Sequence, residues 1–267
     1  MTEIKDKGTL ERFFSANPGL FAYQLGDLDD FFWPHTRWFA LLDQGAPAAI
    51  ALLYDAPTLP VLLALADKKQ DQLGGLLAQL APMLPGRFYC HLTPGTEDAL
   101  APRFILEPHG LHRKMTLNDL TRVAQTDTRA AARLSVEDTV ETRAFFDESY
   151  PGNWFDERML ETGCYFGIRA DGRLVCVAGV HVFSPRYRVA ALGNIATHPA
   201  YRRRGFATMA TAAVCTHLAP LCDCITLNVK ADNAAALSCY SRLGFGVCAS
   251  YEEHMARRAL DNGREGE

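Results

Sequence analysis

The residues best suited to chemistry form a basic turn at the end of an apolar strand. Residues 189–197 are largely apolar, Pro199 follows them, and three arginines then precede Gly205. A helix that begins there leaves its first backbone N–H groups without intrahelical acceptors, and its dipole favours a bound anion. Gly205 lacks a Cβ, so the backbone can approach a phosphate closely. The turn therefore predicts a polyphosphate cradle built from Arg202, Arg203, Arg204, Gly205, Phe206, Ala207 and Thr208.

Two common phosphate-binding loops do not fit this turn. A Walker loop has a Lys and a Ser or Thr directly after its last glycine, whereas Phe206 and Ala207 follow Gly205 here. A dinucleotide-binding loop needs three glycines at the first crossover, and this turn has only one. The residues alone therefore indicate a polyphosphate site of another kind.

A second pattern lies downstream, after a strand that ends at Leu227-Asn228-Val229. The next helix carries Asn233, Ala236 and Tyr240, and Gly244-Phe245 follows it. Together with Arg202-x-x-Gly205-x-Ala207, this resembles the two signatures of the GNAT superfamily of acyl-CoA N-acyltransferases. Both signatures stand in the family's order and between the expected elements, and the resemblance covers roughly residues 135–255.

The resemblance implies acetyl-CoA or another acyl-CoA as cosubstrate, and no metal. The end of the fourth strand would present backbone groups to the pantetheine arm and to the thioester carbonyl, while the basic turn would bind the pyrophosphate. Asn233 would hold the pantetheine arm, and Tyr240 would act as the catalytic acid that protonates the leaving thiolate. The predicted CoA-binding residues are Ile195, Ala196, Thr197, Arg202, Arg203, Arg204, Gly205, Phe206, Ala207, Thr208, Asn228, Asn233, Ala236 and Tyr240.

The sequence does not identify the group that accepts the proton of the attacking amine. A primary amine is mostly protonated at neutral pH, so a base or a water chain must take its proton. Members of the resembled family often have a Glu near the end of the fourth strand, where this sequence has Asn194. The other candidates are His181, Glu148, Glu252, Glu253 and His254.

The resemblance implies that residues 148–156 border the acceptor. This segment contains aromatic and carboxylate side chains, which suit an amine of a small molecule or peptide, although a packed lid has the same composition. We therefore expect an N-acyltransferase. The alternative is a CoA-binding or sensing protein without turnover, for which the absent glutamate is a mild argument.

The elements that must position these residues occur twice along the chain, in the same order of strand, turn, strand and strand. Phe39 against Phe166 and Gly45 against Gly172 give the same offset of 127 residues (166 minus 39, 172 minus 45), without a gap. The sequence therefore predicts two tandem GNAT-like α/β domains, at residues 1–125 and 126–267. Each is expected to have a mixed, mostly antiparallel sheet flanked by helices. The first lacks both signatures and is expected to be degenerate, closing either the acceptor side or a dimer face.

Local patterns predict the individual elements. A linker is expected at residues 121–133, and a capping box at Ser135 and Asp138 opens the second domain. In the first domain we expect strands at 38–42, 48–54, 59–66, 87–92 and 112–117, with helices at 72–84 and 96–104. In the second we expect helices at 136–150, 154–162, 206–217 and 233–243, and strands at 164–168, 174–183, 189–197, 224–229 and 245–255.

The composition excludes several classes of protein. The chain has 267 residues, 48% of them hydrophobic, and a net charge of -4. That charge argues against nucleic-acid binding and against a nucleic-acid-modifying acetyltransferase, because phosphate neutralisation needs clustered Lys and Arg. No apolar run reaches the length of a membrane span, and the charged N-terminal segment differs from a signal peptide. We therefore expect a cytoplasmic protein without a membrane partner. The sequence leaves open whether the protein forms a homodimer.

Overall fold

The computed structural model describes residues 1–55 and 59–259, so the tail predicted at 261–267 lies outside the described residues. The strands are β1 (Thr2–Glu3), β2 (Thr36–Asp43), β3 (Ala46–Tyr54), β4 (Val61–Ala64), β5 (Arg87–Leu92), β6 (Phe104–Leu117), β7 (Ala131–Leu134), β8 (Tyr165–Ala170), β9 (Arg173–Ser184), β10 (Val189–Thr197), β11 (Cys224–Lys230) and β12 (Phe245–Arg258). The helices are α1 (Lys7–Phe14), α2 (Pro18–Gly26), α3 (Gln70–Leu80), α4 (Leu120–Ala124), α5 (Thr139–Ser149), α6 (Phe206–Leu218) and α7 (Ala234–Arg242).

All of these strands belong to one sheet. Their order is β1-β2-β3-β4-β5-β12-β6-β11-β10-β9-β8-β7. Neighbours run antiparallel except β4 with β5 and β10 with β11, which are parallel. The sheet is therefore mixed and mostly antiparallel with helices around it, which confirms the predicted fold class.

The two halves repeat the same hairpin. Gln44 and Gly45 join β2 to β3, and Asp171 and Gly172 join β8 to β9; all four residues have positive φ. Two consecutive positive φ values define the tight turn that matches the twist of a hairpin. Since both turns stand at the offset of 127 residues, the internal repeat read from the sequence is present in the fold.

The halves exchange their last strands. Strand β6, from the first half, lies between β11 and β12, pairing Leu227 with Met115 and Phe245 with Leu117. Strand β12, from the second half, lies between β5 and β6, pairing His254 with Cys90. Each half therefore completes the sheet of the other. The predicted boundary between residues 125 and 126 follows α4, and it stays a prediction.

Helix α2 of the first half packs against the second half. Gly26, its last residue, lies so close to Val182 of β9 that a Cβ at this position would collide with the valine side chain. Leu25 and Leu28 share a buried apolar cluster with Val189 and Tyr251. This packing brings the C-terminal end of α2 to the centre of the molecule.

Two local predictions were wrong. The segment 96–104 was expected to be a helix, but only a 3₁₀ turn at Glu97–Ala99 forms before β6 begins at Phe104. Pro102 explains this, because it lacks an N–H donor and disfavours helical backbone before it. The expected linker at 121–133 contains the end of α4 and the start of β7, since pairing with β8 recruits this polar segment to the sheet edge. The capping box at Ser135 and Asp138 is confirmed.

Candidate active site

Strands β10 and β11 separate at the centre of the sheet. Their parallel pairing ends at Leu192 and Leu227, although β10 continues to Thr197 and β11 to Lys230. A bulge in β10 at Asn194 and Ile195 follows directly, where two residues oppose one residue of β9. Bulges bend a strand and interrupt its ladder, so this one opens a cleft between the two strands.

Asn194 maintains the bulge. Its φ is 52°, in the left-handed region that Asn tolerates better than most residues, and its side chain is buried. The amide Nδ2 donates a hydrogen bond to the hydroxyl of Tyr165 at 3.0 Å, and that hydroxyl donates to the carbonyl of Val180. Asn194 thus has a structural role at the position where the resembled family often has a glutamate.

The basic turn has the backbone geometry of an anion site. Gly205 is the residue before α6, with φ of 82°, and no side chain caps this helix. The first helical bond runs from the N–H of Met209 to the carbonyl of Gly205, so the preceding N–H groups stay outside the helical ladder. A Cβ on Gly205 would point into open space, where a phosphate would lie. The arginines are exposed, and the residues of the turn fit a pyrophosphate.

Contacts of neighbouring side chains stabilise the conformation of the basic turn. Arg202 Nε donates to the carbonyl of Thr197 at 3.3 Å, and the Arg204 guanidinium lies 4.9 Å from the ring centre of Tyr201. Thr208 contacts the sulfur of Cys239 at 3.2 Å. Because Cys239 precedes Tyr240, the cradle and the helix that carries the second signature are neighbours.

Helix α7 carries that second signature. The side chain of Asn233 caps the helix by accepting a hydrogen bond from the N–H of Ala236 at 3.1 Å. Its amide nitrogen is not used by this cap. Tyr240 is 8% exposed, and burial raises the pKa of its phenol, so the phenol is in its proton-donating form at neutral pH.

Residues from both halves of the chain line a cavity of about 1110 Å³. From the second half it is lined by Ile195, Asn228, Asn233, Ala236 and Tyr240, all of them predicted site residues. Ala196 and Thr197 are not among its lining residues; they pair with Val177 and Cys176 of β9. The cradle residues Arg202 to Thr208 are not among its lining residues either; the first four are exposed, and Phe206, Ala207 and Thr208 are half-buried.

The predicted acceptor loop lines the same cavity, through Tyr150, Gly152, Asn153, Trp154, Phe155 and Asp156. The ring of Trp154 lies 5.2 Å from that of Tyr89 in the first half. The loop and the first half therefore form opposite sides of one space.

The carboxylate of Glu253 is the centre of a buried polar cluster in this cavity. Tyr251 and Tyr89 donate hydrogen bonds to it at 2.6 and 2.5 Å. His91 Nε2 and His112 Nε2 each lie 3.3 Å from one of its oxygens. Burial by itself raises the pKa of Glu253, but the two histidines, when they are protonated, and the hydrogen bonds from the two phenols lower it below its ordinary value. The carboxylate is therefore ionised.

Of the five candidate bases, two reach the cavity. Glu253 and His181 line it, and burial lowers the pKa of His181 to about 4, which keeps the imidazole neutral. Glu148 pairs instead with Arg173 and His198. Glu252 and His254 point to the opposite face of β12, as the alternation of a strand requires.

The first half differs from the second at the positions that match the basic turn and the strand cleft. At the matching helix start, Lys69 has φ of 65° where the second half has a glycine, and Asp71 lies in the first turn of α3. A carboxylate there opposes a bound phosphate. The cleft is also closed, because the hydroxyl of Thr93 accepts a hydrogen bond from the N–H of Ala66, and the N–H of Thr93 donates to the carbonyl of Ala64.

The acetyltransferase (GNAT) family model matches residues 130–245, which contain the cleft, the cradle and α7. Residues 130–245 belong to the GNAT acetyltransferase family. Members of this family use acetyl-CoA as cosubstrate, so the resemblance read from the two signatures is confirmed. No curated protein matches the sequence of the chain.

Solved structures show the same fold across both halves. A GNAT-family acetyltransferase of Novosphingobium aromaticivorans is 21% identical, with a TM-score of 0.61 over 79% of this chain and 89% of that one. A Drosophila protein is 14% identical, with a TM-score of 0.71 over 96% and 97%. A tandem GNAT protein from the clavulanic acid biosynthesis pathway is 14% identical, with a TM-score of 0.57 over 98% and 99%. The fold is thus that of two GNAT-like halves in tandem.

Sequence reasoning missed the part of the site that comes from the first half. Tyr23, Asp27, Tyr89, His91 and His112 line the cavity beside the GNAT domain. They share no motif and are scattered over α2, β5 and β6, so no spacing in the sequence connects them. In the described ranges, no group of three or more His, Cys, Asp or Glu side chains is placed to hold a metal ion. Within those ranges, every helix is too short or too polar to cross a membrane.

Proposed function

We propose that the protein is an N-acyltransferase that moves an acetyl or other short acyl group from acyl-CoA to an amine by direct attack on the thioester. One observation carries the proposal. The strand cleft, Asn233, Tyr240 and the Glu253 cluster all open into the same cavity, beside the phosphate cradle. An acyl donor and an amine acceptor can therefore meet there.

The donor would enter between β10 and β11. Phosphate charge would lie against the N–H groups before Met209 and the arginines of the turn. Backbone N–H groups at the bulged end of β10, at Ile195, are suitable donors for the oxyanion that develops when the thioester carbonyl is attacked. The phenol of Tyr240 would give its proton to the departing thiolate of CoA.

The proton of the amine would go to the Glu253 cluster. His112 Nδ1 lies 3.0 Å from the carbonyl of Gly110, which can only accept, so Nδ1 carries a hydrogen. That tautomer leaves the lone pair of Nε2 facing the carboxylate of Glu253. A proton placed between Nε2 and the carboxylate relieves this repulsion, so the pair is a suitable acceptor for the amine proton.

The test is thiol release from acetyl-CoA in the presence of a panel of primary amines. The Tyr240→Phe variant is expected to release thiol about 10²-fold more slowly, with CoA affinity retained, because it lacks only the proton donor. Tyr187→Phe is the matched control, since the Tyr187 hydroxyl is buried without a partner and lies outside the cavity.

Two results would contradict the proposal. An unchanged rate in Tyr240→Phe would remove its catalytic role. Tight CoA binding without thiol release for any amine would favour the alternative of a CoA-binding or sensing protein.

A further inference from the structure

Asp27 is a buried carboxyl group that faces the cavity without a partner. It follows the last residue of α2, is 4% exposed and lines the cavity. No described residue offers its carboxyl group a hydrogen bond or a counter-charge, and burial raises its pKa well above the ordinary value. A buried charge without a partner is unfavourable, so the lone carboxyl group is held in its protonated form, and a cation beside it would allow it to ionise.

The other charged side chains of the cavity wall are already matched. Arg158 pairs with Asp156 at 2.6 Å, Arg143 pairs with Glu157, and Lys230 lies 3.9 Å from Asp232. Glu253 has its histidines and phenols. Among the described residues that line the cavity, Asp27 is thus the acidic group without a partner.

The surroundings of Asp27 favour an alkylammonium group. Phe32 and Tyr54 line the same cavity, and the aromatic faces of such residues attract cations. The ring of Tyr23 already has the ammonium of Lys114 at 4.8 Å from its centre. Asp27 also lies at the C-terminal end of α2, where the helix dipole adds negative potential. An anionic group would be repelled by the ionised carboxyl group, whereas an ammonium would stabilise its charge as well as donate hydrogen bonds to it.

A second carboxylate lies in the same space. Tyr23 is close enough to both Asp27 and Glu253 for their charges to add to the burial that raises the pKa of its phenol. The cavity therefore contains one carboxylate at the proposed proton-accepting cluster and another carboxyl group that is free to bind. Two basic nitrogens of one small molecule would match this arrangement.

We propose that Asp27 binds a second, protonated nitrogen of the acceptor, so that the acceptor belongs to the class of diamines and related dications. This inference rests on the proposed function, since the first nitrogen is the one that attacks the thioester. The residue determines specificity and takes no part in proton transfer to CoA.

The test is calorimetric titration of the full chain, without acyl donor, with diaminobutane and with n-butylamine, which has the same carbon chain and one nitrogen. The wild type is expected to bind diaminobutane at least about tenfold more tightly. In Asp27→Asn this preference is expected to disappear. Asp43→Asn, which changes an exposed aspartate at the tip of the β2–β3 hairpin, is the matched control and should keep it.

Equal affinity of the wild type for the two amines would overturn the inference without any variant. A preference that survives in Asp27→Asn would overturn it too. Thiol release separates this inference from the proposed function. If diamine binding depends on Asp27 but no acyl transfer is observed, the cation site is supported and the proposed acyltransferase function is refuted. If acyl transfer to amines is observed and does not depend on Asp27, the proposed function is supported and the cation site is refuted.

Discussion

Four side chains surround the carboxylate of Glu253, and three of them, Tyr89, His91 and His112, come from the first half of the chain. Burial lowers the pKa of His91 to about 4, so this imidazole is neutral. The carboxylate keeps its charge through the donors around it, and His112 offers the position where a proton can be held. The acid–base chemistry of the GNAT domain is therefore proposed to depend on residues outside that domain.

Replacing Glu253 by Gln tests this dependence. We expect Glu253→Gln to lower kcat about 10²-fold near neutral pH, because the cluster can no longer accept the proton of the amine. The deficit should shrink as the pH approaches the amine pKa of about 10, where the free amine is abundant in solution. The measurement is the pH profile of thiol release.

Glu252→Gln is the control, since Glu252 is the neighbouring residue on the opposite face of β12. A deficit in Glu253→Gln that is equal at every pH would mean a structural role instead of proton transfer.

At the scale of elements, two backbone features distinguish the second half, where we propose the CoA site, from the first half. The bulge at Asn194 opens β10 from β11, while Thr93 ties the corresponding strands together in the first half. Gly205 begins α6 without a side chain, while Lys69 begins α3 with one and Asp71 adds a negative charge. The proposed CoA site therefore lies in the second half, although both halves have the same fold.

Gly205→Ala tests the cradle. With φ of 82° the new Cβ costs stability, by about 1–2 kcal/mol, and it also points toward the place of the phosphate. We expect a lower melting temperature and a clearly higher Kd for CoA, measured by titration.

Gly45→Ala provides a matched comparison, because Gly45 has φ of 84° and equally open space, but lies in the β2–β3 turn. It should lose similar stability and keep its affinity for CoA. Equal CoA affinity in the two variants would argue against a phosphate at Gly205.

At the scale of the whole molecule, the exchange of β6 and β12 links the stability of the two halves. Within the single sheet, the strands of each half are completed by the last strand of the other half. We expect the halves to unfold together, so that amides of β3 and β9 lose hydrogen-exchange protection at the same denaturant concentration.

Hydrogen exchange followed by mass spectrometry resolves peptides from the two halves and measures this directly. CoA is expected to raise protection in both halves, although it binds only one. Exchange of β3 at a lower denaturant concentration than β9 would contradict the linkage.

Part of the site could be predicted because its signals are local. Arg202 to Ala207 and Asn233 to Tyr240 each lie within one turn and one helix, where spacing along the chain determines spacing in space. The sequence could not distinguish Glu253 from the other candidate bases, because alternation along a strand does not show which face of the strand borders a cavity. The predicted helix at 96–104 was wrong because Pro102 disfavours helical backbone. The predicted linker at 121–133 was wrong because part of this segment pairs with β8 at the sheet edge.

The sequence by itself determined the hairpin repeat, the uncapped helix start after the basic turn and the GNAT signature, because turns, helix starts and strand alternation depend on neighbouring residues. Only the tertiary structure decided that β6 and β12 exchange places and that α2 reaches the second half. These long-range pairings bring Asp27, His91 and His112 to Glu253 and Tyr240, more than a hundred residues away in the chain. Strand pairing and helix packing join segments by complementarity of their surfaces, which no short stretch of sequence contains.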